Sequence, residues 1–145
     1  MPGLSAQLPL SMDGVEGYTL NRDYIKLVRQ NLTMLMETAP GERIMYPEFG
    51  VGLRNFLFEI DNPFLRTDIS QKIHEQVGIY MPFLNIVGID FRSAAEDDTL
   101  DTNYLGIRLK YIIPPLQQSD WWEGSVGGES SDYREQYGYD MRFLT

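Results

Sequence analysis

Twenty residues, Pro40 to Glu59, place more constraints on the backbone than any other part of this chain, and no single helix or strand can satisfy them all. Pro40 lacks the amide a helix needs and Gly41 can take a positive φ, so the pair ends whatever helix precedes it. Pro47 limits the ladder open to Arg43, Ile44, Met45 and Tyr46, which suits a short edge strand. Gly50 and Gly52 flank one valine, freeing the backbone to turn tightly or to let another segment approach closely. Leu53, Phe56 and Leu57 follow at i, i+3 and i+4, one apolar face of a short helix. Turn, strand, bend and helix are expected within a few residues of one another.

The flanks have regular periods. Asn21 can cap a helix from Arg22 to about Thr38, with Asp23 in the first turn, where the helix dipole favours an acid. Ile25, Val28, Leu32, Leu35 and Met36 form its apolar stripe, either core or a methionine-rich binding groove. Asn62 and Pro63 read as an N-cap with proline at the first helical position. Leu65, Ile69, Ile73, Val77 and Tyr80 then recur at helical spacing until Pro82. Gly78 inside this helix implies either close packing or a loose last turn.

Beyond residue 84 the period becomes two. Val87, Ile89 and Phe91 alternate with Gly88, Asp90 and Arg92; Leu105, Ile107, Leu109, Tyr111 and Ile113 alternate with Gly106, Arg108 and Lys110 in a run beginning at Tyr104. A short polar connection between them predicts an antiparallel hairpin ended by Pro114 and Pro115, its two edges open to another strand. The expected fold is α+β: two main amphipathic helices packed on a small antiparallel sheet with a β-hairpin, plus extended N- and C-terminal arms. Residues 1–20 are the first arm, a frayed terminus or a segment that lies in a neighbour's groove. Residues 21–116 form the domain. Residues 117–145 read as an acidic linker, holding Trp121 and Trp122, and a strand-like arm. In that arm Tyr137, Tyr139, Met141 and Phe143 alternate with polar residues or glycine, for pairing with the chain's own hairpin or with a neighbour's sheet.

Composition narrows the partners. With 145 residues and 43% apolar content the chain can bury a modest core, and it has no cysteine for a disulfide or a thiolate metal site. No signal-like start and no long apolar span is present, so a soluble, unsecreted protein is expected. The net charge of −9 argues against nucleic acid and against anionic membrane as partners. Asp120, Glu123, Glu129, Asp132, Glu135 and Asp140 face only Arg134 and Arg142 in the final segment, a net of −4 there.

The run Pro40-Gly41-Glu42-Arg43, then Pro47-Glu48-Phe49-Gly50, Gly52-Leu53-Arg54 and Leu57-Phe58-Glu59 resembles the baseplate wedge and sheath-initiator family of contractile-tailed bacteriophages, with relatives in type VI secretion. The resemblance covers roughly residues 18–116. It implies a structural virion protein of the tail baseplate, a late protein, put together in the host cytoplasm in multiple copies around a sixfold axis. It further implies contact with baseplate wedge subunits and with the tail sheath protein, whose first ring pairs strands with this chain's sheet. Tail tube and hub proteins are further candidate partners. On this chain the sheath-pairing candidates are Tyr104, Leu105, Gly106, Ile107, Arg108, Leu109, Lys110 and Tyr111, with Tyr137, Tyr139, Met141 and Phe143. Many relatives carry Glu-Pro-Arg after the long helix; here Met81-Pro82-Phe83 stands there, implying an apolar docking point for the wedge.

Catalysis finds little support. His74 is the sole histidine and makes neither a zinc site nor a triad. Gly50-Val51-Gly52 begins a phosphate-binding glycine pattern, but Asn55 occupies the third glycine's place. The competing reading is a peptidoglycan-cleaving, lysozyme-like enzyme using Glu48 with Glu42 or Glu59 as paired carboxylates, since members of the family have been labelled lysozyme-like. Compact turns around these acids favour a structural protein without cofactor or metal, the acids pairing with Arg43 and Arg54. A nucleic-acid mimic has only the charge in its favour.

Overall fold

The computed structural model describes residues 3–15, 17–56, 59, 62–93 and 105–126. Two helices, α1 (Tyr24–Glu37) and α2 (Pro63–Tyr80), pack on one face of a three-stranded antiparallel sheet of β5 (Asn85–Ser93), β6 (Leu105–Ile113) and β7 (Gln118–Val126), in that order. Val28, Leu32, Leu35 and Met36 of α1 meet Leu65, Ile69, Ile73 and Val77 of α2 in one cluster. Leu105, Ile107, Leu109, Tyr111, Ile113 and Trp122 close it from the sheet. The α+β arrangement and both apolar stripes follow the expected periods; the Met residues of α1 divide, Met36 in the core and Met34 partly exposed.

Asn62 caps α2 as expected, accepting from the Leu65 amide at 2.8 Å. At α1 the cap is Asp23, which accepts from the Ile25 amide, and Asn21 is instead buried. Both residues suit an N-cap, and the competition is settled by Asn21 pairing with a buried carboxamide described below. A side chain at Gly78 would meet nothing within 4 Å, so close packing is not its reason.

The largest difference from expectation is β7. The segment from residue 117 onward reads as an acidic linker, yet Gln118–Val126 form a strand with nine register pairs to β6, Leu109 opposite Trp122 and Tyr111 opposite Asp120. Pro114–Leu116 make one 3-10 turn and Gln117 adopts the left-handed region (φ 51°), which reverses the chain. The core-facing residues are Asp120, Trp122 and Gly124, only one of them a large apolar side chain, so no hydrophobic alternation is visible. Glycine at 124 leaves room for the Trp122 ring, whose atoms lie 2.1 Å from where its Cβ would stand.

Residues 3–15 and 17–21 form short extended segments that pair with one another. β1 (Ser5–Ala6) pairs with β4 (Leu20–Asn21), and inside that pair β2 (Met12–Asp13) pairs with β3 (Gly17–Tyr18). The edge strand expected at Arg43–Tyr46 does not form. The Gly41 amide donates to the Pro47 carbonyl at 2.7 Å, curling the segment into a closed loop that leaves no straight run for a ladder. After it, Leu53–Phe56 is a single 3-10 turn. Leu57, Phe58, Tyr104, Tyr137, Tyr139, Met141 and Phe143 lie outside the described residues.

Candidate functional site

The constrained loop is held from below by one side chain. Gln76, on the buried face of α2, accepts from the Gly50 amide at 2.9 Å and donates through Nε2 to the Glu48 carbonyl at 3.1 Å. Its carboxamide thus completes two backbone groups that no strand supplies. The Val51 amide donates to the Leu35 carbonyl at the end of α1. Gly50 (φ 112°) is obligatory here, because a Cβ would fall 1.9 Å from the Thr38 carbonyl oxygen. On the outer side the Arg43 guanidinium lies over the Phe49 ring at 4.0 Å, and Phe49 meets Tyr80 edge to face at 4.7 Å.

Gln30 of α1 does the same work for the N-terminal segment. Its Oε1 accepts from the Leu8 amide and from Asn21 Nδ2, and its Nε2 donates to the Ala6 carbonyl. Sequence reasoning missed both glutamines. The available signal was their place on an apolar face, Gln76 between Ile73 and Val77 and Gln30 between Val28 and Leu32, where a polar residue needs a buried partner.

A third polar set ties β7 to α1. Arg29 forks onto Asp120 (Nη2 to Oδ1 2.6 Å, Nε to Oδ2 3.2 Å), and Trp122 Nε1 donates to Thr33 Oγ1 at 2.9 Å. Four residues of helix rise about 6 Å and two residues of strand about 6.8 Å, so the pairs 29/33 and 120/122 fall in step. The Tyr111 hydroxyl donates to Asp120 Oδ2 at 2.9 Å. Burial, and then the neighbouring carboxylate, push the Tyr111 phenol well above its ordinary pKa.

These contacts decide which margins of the sheet are open. β6, the expected sheath-pairing strand, is central: β5 takes one of its edges and β7 the other. Leu105, Ile107, Leu109 and Tyr111 are buried, and the outward Arg108 and Lys110 pair with Glu123 and Asp90. Pairing through β6 is therefore excluded by the chain's own β7. Among the described residues no strand pairs with the outer margin of β5 or of β7. The sheet's outer face carries a shallow depression of about 440 Å³ with Val87, Ile112 and Trp121 in its lining.

The docking triplet divides. Met81 is buried in this chain's own core at 5% exposure and is withdrawn from any partner, whereas Phe83 stands 43% exposed beside exposed Pro82. His74 is exposed. Glu42, Glu48 and Glu59 are all exposed on turns, and none lines the depression. Glu42 accepts from the Ala39 amide at 3.1 Å, and Arg43 takes the Phe49 ring, so the expected acid pairing is replaced by a turn cap and a cation–π contact.

A small sheet whose outer margins take no strand among the described residues, a braced loop that projects apolar side chains, and exposed acids outside the depression suit a structural module joined by other chains. The chain belongs to the baseplate wedge protein gp25 family, whose model matches residues 22–114. That membership makes it a structural component of a phage-type contractile-tail baseplate. A crystal structure of a protein named as a tail lysozyme from Geobacter sulfurreducens shares the fold at TM-score 0.62 and 18% identity, over 78% of this chain and 98% of that one. A chain of the anti-feeding prophage baseplate, reconstructed by cryo-EM with sixfold symmetry, matches at TM-score 0.60 and 20% identity, over 94% of this chain and 93% of that one. At such identities the likeness is one of fold. No curated protein sequence matches the chain.

Proposed function

We propose that this protein joins the inner wedges of the baseplate to the first ring of tail sheath subunits and starts sheath growth by lending a strand margin to the sheath. The observation that carries this reading is the pair of outer margins on β5 and β7, whose main-chain donors and acceptors an added strand can satisfy. The wedge contact falls to Phe83 with Pro82. The alternation of Tyr137, Tyr139, Met141 and Phe143 supplies a further pairing segment on sequence grounds, and tail tube or hub proteins are its other candidate partners. Copies arranged around the baseplate axis would each offer one such margin, in the virion after assembly in the host cytoplasm.

The chain has no cysteine, so a single introduced thiol reports one position. Asp90→Cys on β5 and Glu123→Cys on β7, each carrying a photoreactive group in assembled tails, should give an adduct with the sheath protein from at least one site. Adducts confined to wedge subunits at both sites would overturn the reading. The reaction assigned to the protein is none: Glu42 serves its own turn, and a glycosidase needs two carboxylates flanking a sugar-sized cleft. Cell-wall hydrolysis by purified protein that Glu48→Gln abolishes would reverse that assignment.

A further inference from the structure

The closed loop between Gly41 and Pro47 carries a run of three exposed apolar side chains. Ile44 is 96% exposed, Met45 84% and Tyr46 62%, consecutive in the chain. Scattered exposed apolar residues are ordinary, but a contiguous set on a projecting tip marks an interaction site. This tip is also held still. The Gly41 amide closes the loop on Pro47, Glu42 caps the Ala39 amide, Arg43 lies on Phe49, and Gln76 anchors the strand of backbone that leaves it. A segment ordered before binding loses little conformational entropy on docking, which is what an anchor residue requires.

We propose that Ile44, Met45 and Tyr46 form an apolar plug that seats in a cleft of a different baseplate subunit, one with a neutral or basic rim. A bilayer is the poorer host, because the exposed Glu42 and Glu48 outnumber Arg43 beside the tip and the chain as a whole carries −9. A second copy is disfavoured by the same charge, since two such chains repel. The plug is separate from the strand margins and acts one step earlier, at entry into the baseplate.

The test uses assembled tails with a photoreactive benzoylphenylalanine in place of Met45. An adduct with one other baseplate protein is expected; an adduct with a second copy of this chain, or no protein adduct, overturns the proposal. In parallel, Met45→Asp should lower the amount of this chain in purified baseplates by at least about tenfold, the scale of a central anchor. Thermal unfolding of the isolated variant should match that of the parent. Normal incorporation of Met45→Asp would refute the plug. Variants impaired only at the β5 or β7 margin should still enter the baseplate and fail later, at sheath nucleation, so the two readings fail separately.

Discussion

Replacing Gln76 with leucine tests how the constrained loop is built. The side chain is 4% exposed, and its volume is close to that of leucine, so the substitution leaves little cavity. What it removes is the acceptor for the Gly50 amide and the donor for the Glu48 carbonyl, at 2.9 and 3.1 Å. Two hydrogen bonds contribute about 1 kcal/mol each, and a buried amide left without a partner adds about 1–3 kcal/mol. The gain from burying leucine offsets part of this, leaving an expected loss of about 2–4 kcal/mol. Urea unfolding should show the midpoint falling with an unchanged slope, because the surface exposed on unfolding is the same. Hydrogen exchange at the Gly50 amide should accelerate more than exchange in the middle of β6. A loss below about 0.5 kcal/mol, the range of an ordinary surface change, would refute the clamp.

Asp120→Ala should cost about 2–3 kcal/mol, below the cost of breaking a fully buried pair because the Arg29 side chain keeps 29% of its surface in water. The triple replacement Arg29→Met, Tyr111→Phe and Asp120→Leu, which also removes the hydroxyl that would lose its acceptor, should recover much of that loss in the same unfolding assay. Tyr111, whose folded pKa is raised, stabilises the fold fully below the unfolded value of about 10 and loses that contribution as pH climbs toward the folded one. Stability should fall above pH ~10 by up to about 1.4 kcal/mol per pH unit for this group, with one tyrosine resisting ionisation, by ultraviolet absorbance, until the chain unfolds. Phe83→Asp should leave unfolding within about 0.5 kcal/mol of the parent and reduce co-purification with wedge subunits.

The elements with a long single period were legible from sequence. Leu65, Ile69, Ile73 and Val77 announced α2, and Leu105, Ile107, Leu109 and Tyr111 announced β6, because in each the buried face is dominated by apolar side chains at one period, Gln76 being the exception on α2. β7 was hidden for the opposite reason: it turns Asp120 inward, and only the presence of Arg29 and Tyr111, 91 and 9 residues away, makes that burial tolerable. The added strand has a functional consequence: among the described residues the unpaired margins are those of β5 and β7, where the hairpin alone would leave β5 and β6. The Pro40–Gly52 stretch showed its bends through its glycines, but Gly41 bonding to Pro47 turned the expected strand into a loop and put Ile44, Met45 and Tyr46 in solvent. Met81 looked like a surface anchor beside Pro82, and helix phase carried it into the core instead, four residues after Val77.

A cryo-EM reconstruction of the assembled tail at the junction of baseplate and sheath tests the central claim most directly. The account predicts a strand of the first sheath ring in main-chain register along the outer margin of β5 or β7. Both margins occupied by this chain's own residues, with the sheath held through side chains alone, would contradict it.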